Sequence, residues 1–309
     1  MPSPPPVPMP TPPAVRRLDA DDWDAGTTTA VREVVAAATD ADGAAPLDEA
    51  ALLALRHGIA GTRMVVADGT ASPAGFAWLH AAAVEVVVAP TERGRGMGTA
   101  LCTALLDTPD PAPGQLTGWS HGDHPAAARL AERFGFTRAR ELWVMRRSLD
   151  DLPPAEPPAE GGGPTVRGFE AGRDEDAFLA LNAAAFADHP EQGQMTRDDL
   201  DERMSEQWFD PGGFFVAEAG GRMVGFHWTK VHPRPSGIGE IYVLGISPTS
   251  QGSGLGRRLA LVGLHHLAAR GCRQVLLYVE SDNPAAVALY SRLGFTHGAS
   301  DTHVQYARD

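Results

Sequence analysis

Lysine is nearly missing from this chain: Lys230 is the only one among 26 lysine and arginine residues. With arginine carrying all the other fixed positive charge, that single ammonium becomes a residue to follow. Basic residues as a whole are also outnumbered, 26 against 39 acidic ones, for a formal net charge of −13. Nucleic acid and anionic membranes are bound through basic faces that displace counterions, so neither is expected as a partner. A neutral or cationic small molecule fits better. Cysteine is scarce too. Cys102 and Cys272 have no neighbouring cysteine to build a metal cluster or a redox pair, and are expected as buried, reduced thiols. No run of about 18 apolar residues is present, and the proline-rich start lacks the charged end and apolar centre of a secretory signal. A cytoplasmic monomer is expected.

What the chain does have is enough apolar material for two cores, 43% hydrophobic residues over a length of 309. It also has an internal repeat. PTERGRGMGTAL begins at Pro90 and PTSQGSGLGRRL at Pro248, 158 residues later; RFGF and RLGF place Gly135/Gly294 and Phe136/Phe295 at a spacing of 159. A near-constant offset marks a duplicated unit. Between the copies, residues 151–164 are rich in Pro, Glu and Gly, have little to bury, and read as a semi-extended linker. The expected organisation is a disordered proline-rich tail over 1–13, an N-terminal domain over 14–150, the linker, and a C-terminal domain over 165–309.

Each half repeats one order of elements. Apolar residues at helical spacing predict helices over Thr28–Ala38 and Leu47–His57 in the first half, and over Asp174–Phe186 and Arg197–Gln207 in the second. Strands follow at Arg63–Ala67 and Ala74–Leu79, matched by Phe214–Glu218 and Met223–Trp228, with short glycine-containing turns between them. A strand then runs straight into the glycine stretch and a helix. Another strand and a short helix ending in Gly-Phe complete the unit. The fold class is therefore α/β, with a mixed central sheet flanked by helices, built twice.

Glycines between a strand end and a helix start sit where several N–H groups lack intrahelical partners and the helix dipole is positive. Such a place binds phosphate, and glycine lets the backbone approach it. A dinucleotide fingerprint is excluded, because after Gly252 and Gly254 its third glycine falls on Arg257; no Walker lysine follows either. From the residues alone, a glycine-rich surface turn without a ligand stays open.

The pattern R/Q-x-x-G-x-G after a strand resembles the acetyl-CoA pyrophosphate loop of the GNAT acetyltransferase superfamily. NPAAVALYSRLGF from Asn283 resembles that superfamily's last block, and HPAAARLAERFGF from His124 is its degraded partner. Further stretches, ADHPEQG from Ala187, WFDPGG from Trp208, GFHWTKVHP from Gly225, GEIYVLGI from Gly239 and LLYVESDN from Leu276, resemble a tandem-domain branch of the superfamily. That branch acetylates the cysteinyl amine of cysteinyl-glucosaminyl-inositol. The likeness spans most of the second half and is patchy in the first.

For the cosubstrate acetyl-CoA, the resemblance implies a site in the second half made by Leu244, Gly245 and Ile246, by Gln251, Gly252, Ser253, Gly254, Leu255, Gly256 and Arg257, and by Asn283, Pro284, Ala285, Ala286, Val287 and Ala288. In the first half it implies Val86, Val87 and Val88 with Arg93, Gly94, Arg95, Gly96, Met97 and Gly98. For the acceptor amine it implies Glu49, Glu191, Lys230, Glu240 and Tyr278.

Acetyl transfer needs a base for the amine, donors for the oxyanion and an acid for the departing thiolate. Glu240 begins the strand leading to the glycine loop and is the candidate base. N–H groups around Leu244–Ile246 are candidate oxyanion donors. Tyr290, about two turns into the last helix, is the candidate acid. Spacing alone leaves the plainer readings open: a solvated strand-start carboxylate and a half-buried aromatic of an amphipathic helix. At the repeat offset, Glu240 falls on Ala82 and Tyr290 on Ala131, so the first half is expected to hold CoA at most. No metal is expected: His121 and His124 read as loop or capping residues, and His227, His232, His265 and His266 have no fixed second ligand set. Two alternatives remain, a tandem acetyltransferase for another amine such as an aminoglycoside or a protein N-terminus, and a non-catalytic acyl-CoA sensor.

Overall fold

The computed structural model describes residues 14–18, 23–48, 51–52, 55, 62–68, 73–80, 82–107, 114–155, 163–187, 189, 192–233 and 236–309. The proline-rich tail, Glu49, Glu191, most of the expected 47–57 helix and residues 156–162 of the expected linker lie outside them. The first half runs β1 (Val15–Leu18), α1 (Ala25–Asp42), β2 (Arg63–Ala67), β3 (Gly75–His80), β4 (Ala83–Val88), α2 (Met97–Leu106), β5 (Leu116–Ser120), α3 (Pro125–Arg133) and β6 (Thr137–Ser148). The second runs β7 (Thr165–Gly168), α4 (Glu175–Ala185), α5 (Arg197–Ser205), β8 (Phe214–Ala219), β9 (Arg222–Val231), β10 (Ile238–Ile246), α6 (Leu255–Ala269), β11 (Gln274–Glu280), α7 (Pro284–Arg292) and β12 (Thr296–Arg308). No helix among the described residues is long and apolar enough to cross a membrane.

Two compact units form, one of residues 1–142 with 299–309 and one of 143–298. This grouping departs from a division at the linker, because each unit takes a piece of strand from the other half of the sequence. In the first unit β12 pairs antiparallel with β5, from Val304 opposite Ser120 to Arg308 opposite Leu116. In the second, β6 lies next to β11, and the Leu149 N–H donates to the Arg273 carbonyl at 2.9 Å. Both late strands come after the Gly-Phe turns, beyond the point where the sequence reading ended each unit. Alternation in DTHVQYAR carries a period-2 signal for the second, whereas the first shows only the apolar run Leu142–Met145 among arginines.

Strand pairing is mixed in each unit. In the first unit β1–β4 pair antiparallel and β4 meets β5 in parallel; in the second β7–β10 pair antiparallel and β10 meets β11 in parallel. The second unit buries one sheet face against α4 and α5 through Phe178, Leu200, Phe214, Phe226 and Trp228. Its other face is buried through Ile241, Leu264, Leu267, Val275, Leu277 and Tyr290. Cys102 and Cys272 are buried free thiols, as expected.

One irregularity sets the directions of the β10 side chains. The β9/β10 register runs Glu240 opposite Lys230 and Ile241 opposite Thr229, then skips to Val243 opposite Trp228, so Tyr242 is the extra residue of a β-bulge. A one-residue insertion reverses which side chains face which way beyond it. Glu240 and Val243 consequently share the α4/α5 face, while Ile241 turns to the other.

Candidate active site

The glycine loops fold alike in the two units. A single 3-10 turn, Pro248–Ser250 or Pro90–Glu92, leads into a loop whose last glycine caps the following helix. Gly254 and Gly96 are those caps, at φ 86° and 83°, and Gly252 and Gly94 also lie in the left-handed region at 75° and 76°. Neither cap offers a side-chain hydrogen bond to the helix start. The open N–H groups suit a pyrophosphate. A Cβ at Gly254 or Gly96 meets no protein atom within 4 Å, so within the protein itself the demand for glycine comes from the left-handed backbone and not from crowding.

The loops differ in what engages their side chains. In the first unit Arg93 donates bidentately to Asp42 at 2.6 and 2.8 Å and to the Val88 carbonyl at 3.1 Å, and Arg95 pairs with buried Glu92 at 3.0 Å. The Arg93 bonds hold the Asp42 carboxyl below its ordinary range. In the second unit Gln251 replaces that arginine, and Ser253 Oγ donates to the Ser250 carbonyl at 2.6 Å.

Beyond the loop, the parallel register of β10 with β11 covers only Ile238–Glu240 opposite Gln274–Leu276. Leu244, Gly245 and Ile246 pair on their other edge with His227, Phe226 and Gly225. Toward β11 they lie beyond the last parallel pair, at a gap in the strand pairing. Gly245 must be glycine for space, since a Cβ would stand 2.5 Å from the Phe226 ring and 3.3 Å from Phe186. Asn283 caps α7, accepting from the Ala286 N–H at 3.1 Å with Pro284 at the first helical position. His124 caps α3 in the same way through Nδ1 at 3.1 Å, the capping role its position predicts.

The two candidate catalytic groups approach the gap from opposite faces. Glu240 is 7% exposed, on the α4/α5 face, and its Oε2 lies 2.8 Å from His232 Nε2. Tyr290 is buried among Ile241, Val275, Leu277 and Leu293 on the other face, edge-on to Phe295. Burial alone pushes its phenol well above the usual value of 10.0, so the proton stays on oxygen at neutral pH.

Of the expected acceptor residues, Lys230, Glu240 and Tyr278 share one face. Lys230 is the register partner of Glu240, which also pairs with Leu276, two residues before Tyr278. Tyr278 is 45% exposed. The Lys230 ammonium stands over the Trp208 ring at 4.4 Å and the Tyr242 ring at 5.1 Å, cation–π contacts that fix its direction. Arg203 in turn donates to the Tyr242 hydroxyl at 3.1 Å. The sequence reading missed His232, Trp208 and Tyr242. For His232 the signal was available, since strand alternation in Lys230-Val231-His232 puts it on the Lys230 side of a hairpin returning to Glu240. It also missed a pair in the first unit, where His121 and His303 meet Nδ1 to Nδ1 at 2.9 Å and burial pulls His121 down to about 4. Among the described residues no group of three or more metal-ligating side chains comes together.

In the first unit the β3/β4 register runs without a shift, with Ala83 opposite His80 and, in parallel, opposite Thr117. Ala83 therefore occupies the place of Glu240. The constant offset pointed to Ala82 because the bulge at Tyr242 absorbs one residue. Ala131 lies buried in α3, the helix matching α7.

Comparison with known proteins agrees with this fold. The profile of the Acetyltransferase (GNAT) family matches residues 179–295, within the second unit. The chain is 52% identical over 303 residues to a mycothiol acetyltransferase from Nocardioides sp., covering 93% of this chain and 100% of that protein. It is 52% identical over 291 residues to one from Thermobispora bispora, covering 92% and 96%. Among solved structures, a GCN5-related N-acetyltransferase from Sphaerobacter thermophilus superposes with a TM-score of 0.68 at 27% identity, over 97% of this chain and 96% of that one. A tandem GNAT protein from the clavulanic acid biosynthesis pathway superposes with a TM-score of 0.69 at 19% identity, over 96% and 98%, a likeness of fold.

Proposed function

The chain belongs to the mycothiol acetyltransferases, acetyl-CoA-dependent enzymes built on GNAT domains, and on that premise we propose that its second unit acetylates the cysteinyl amine of cysteinyl-glucosaminyl-inositol. The observation that carries this reading is the placement of a buried carboxylate and a buried phenol on opposite faces of the β10/β11 gap, beside a glycine-capped helix start. The α6 N-terminus and the Gln251–Arg257 loop hold the pyrophosphate, Asn283–Ala288 lie along the cosubstrate, and Leu244–Ile246 direct N–H groups at the thioester carbonyl. Lys230 and Tyr278 meet hydroxyl oxygens of the acceptor, with Glu49 and Glu191 assigned to the same acceptor.

Glu240 takes a proton from the ammonium, directly or through one water, and the freed nitrogen attacks the carbonyl carbon. Collapse of the resulting oxyanion breaks the C–S bond, and the thiolate takes the Tyr290 proton. The nitrogen gives up two protons in all; in the net reaction one ends on sulfur and one in solvent. The first unit keeps the loop backbone without a counterpart to either group, and we assign it CoA holding without turnover.

Mass spectrometry of the purified protein with acetyl-CoA and a panel of amines tests this. Acetylation of cysteinyl-glucosaminyl-inositol on its amine, with an aminoglycoside and a peptide N-terminus left unmodified, is the expected result. Preference for either of those amines overturns the acceptor assignment.

A further inference from the structure

We propose that His232 is a positioning residue for the base: its imidazole holds the Glu240 carboxylate in the correctly aimed position that amine deprotonation requires. The proposal rests on the assignment of Glu240 as base. The two side chains meet at 2.8 Å, Nε2 to Oε2, while Glu240 is buried and the imidazole is 29% exposed. A carboxylate taken from water needs a donor to remain charged, and Nε2–H on Oε2 supplies one while leaving Oε1 for the amine or its water. The imidazole is itself fixed by the backbone, because the His232 N–H donates to the Ile238 carbonyl at 3.0 Å and closes the β9/β10 hairpin.

Among the described residues, the other titratable groups on this face include Lys230 on β9, Tyr242 on β10 and Tyr278 and Glu280 on β11, with Arg203 reaching Tyr242 from α5 and His189 standing 3.7 Å from Glu280. The Lys230 ammonium is drawn over the Trp208 and Tyr242 rings. His232 is thus the group placed to set the carboxylate's direction.

The test compares His232→Leu, His232→Gln and Glu240→Gln with wild type, reading kcat, both KM values and melting temperature. His232→Leu removes the donor and should lower kcat by about 10- to 100-fold, the scale of a misaimed catalytic group, with KM for acetyl-CoA and melting temperature unchanged. His232→Gln keeps a donor at that place and should recover most of that rate, since its amide N–H can still reach Oε2. Adding His232→Leu to Glu240→Gln should cost nothing more, the sign of one coupled device. A purely structural histidine predicts a falling melting temperature in both His232 variants with no recovery of kcat by glutamine, and that result overturns the proposal. If His232→Leu fails to fold, His232→Ala takes its place in the same comparison. If Glu240→Gln is disabled while both His232 variants behave as wild type, this inference alone falls; if Glu240→Gln turns over normally, the base assignment falls and takes His232 with it.

Discussion

The two glycine loops have nearly the same backbone, yet the strands that feed them have diverged. Gly96 and Gly254 cap their helices within a few degrees of one φ, and the 3-10 turns before them align. Upstream, β10 carries the bulge at Tyr242 and a buried glutamate facing the caged Lys230 of β9, whereas β4 runs in register with Ala83 at the glutamate's place, and α3 has Ala131 where α7 has Tyr290. Holding a pyrophosphate asks only for N–H groups and left-handed glycines, so it survives changes in every neighbouring side chain. Proton transfer asks for particular side chains at particular distances. A copy can therefore keep the first ability and lose the second.

The difference breaks most sharply at the two proton-transfer groups. Glu240→Gln keeps the shape of the site and removes the base; kcat should fall by about 100-fold or more at neutral pH and partly recover as pH rises and free amine increases. Placing the carboxylate in the other unit, with Ala83→Glu in the Glu240→Gln background, should restore nothing, because α3 presents Ala131 where α7 presents Tyr290. Tyr290→Phe keeps the buried ring and deletes the hydroxyl. Its cost of about 100-fold should shrink with a thioester whose thiolate leaves without protonation, a dependence that steady-state rates across a series of acyl thioesters will reveal.

How much of this was legible beforehand turns on the kind of signal each feature leaves. The strand–loop–helix order, the helix cap at His124 and the loss of the Tyr290 counterpart at Ala131 depend on local sequence, and were readable there. The bulge was not, because its evidence is a cross-strand register; it moved the Glu240 counterpart from Ala82 to Ala83. The exchange of 143–148 and 299–309 between the units was equally hidden, since alternation can mark a strand without saying which sheet receives it. The Lys230 cage and the His232–Glu240 contact needed the β9/β10 hairpin closed. Lys230 stood out by its rarity, a weaker signal than its position over Trp208.

The loops themselves give a smaller expected difference. Gly254→Val imposes a β-branched side chain on a left-handed cap, strain of order 1–3 kcal/mol that falls directly on the pyrophosphate N–H groups. Acetyl-CoA affinity at the second unit should weaken by about 10-fold or more, with turnover falling alongside. Gly96→Val imposes the same strain in the first unit, where the Arg93–Asp42 pair braces the loop. It should lower the melting temperature or remove one CoA equivalent by calorimetry, with kcat kept. Equal loss of activity in two folded variants defeats the view that one unit reacts and the other holds.

The smallest expected effect concerns Glu85, a carboxylate buried at 5% exposure in β4, directly opposite Trp78 as Val243 is opposite Trp228. Burial, and then the Asp48 charge, raises its pKa well above the ordinary 4.5. A raised folded value means that stability is fully present below the unfolded pKa and is lost as pH rises toward the folded one, because the unfolded chain ionises first. Glu85→Gln removes that loss. It should leave the melting temperature nearly unchanged at about pH 4 and raise it by a few degrees at about pH 8, on the order of 1–2 kcal/mol. Acetylation by the second unit should not change. If the variant is instead less stable at the higher pH, Glu85 serves the first unit as a bound anion, and β4 is more than an apolar remnant of β10.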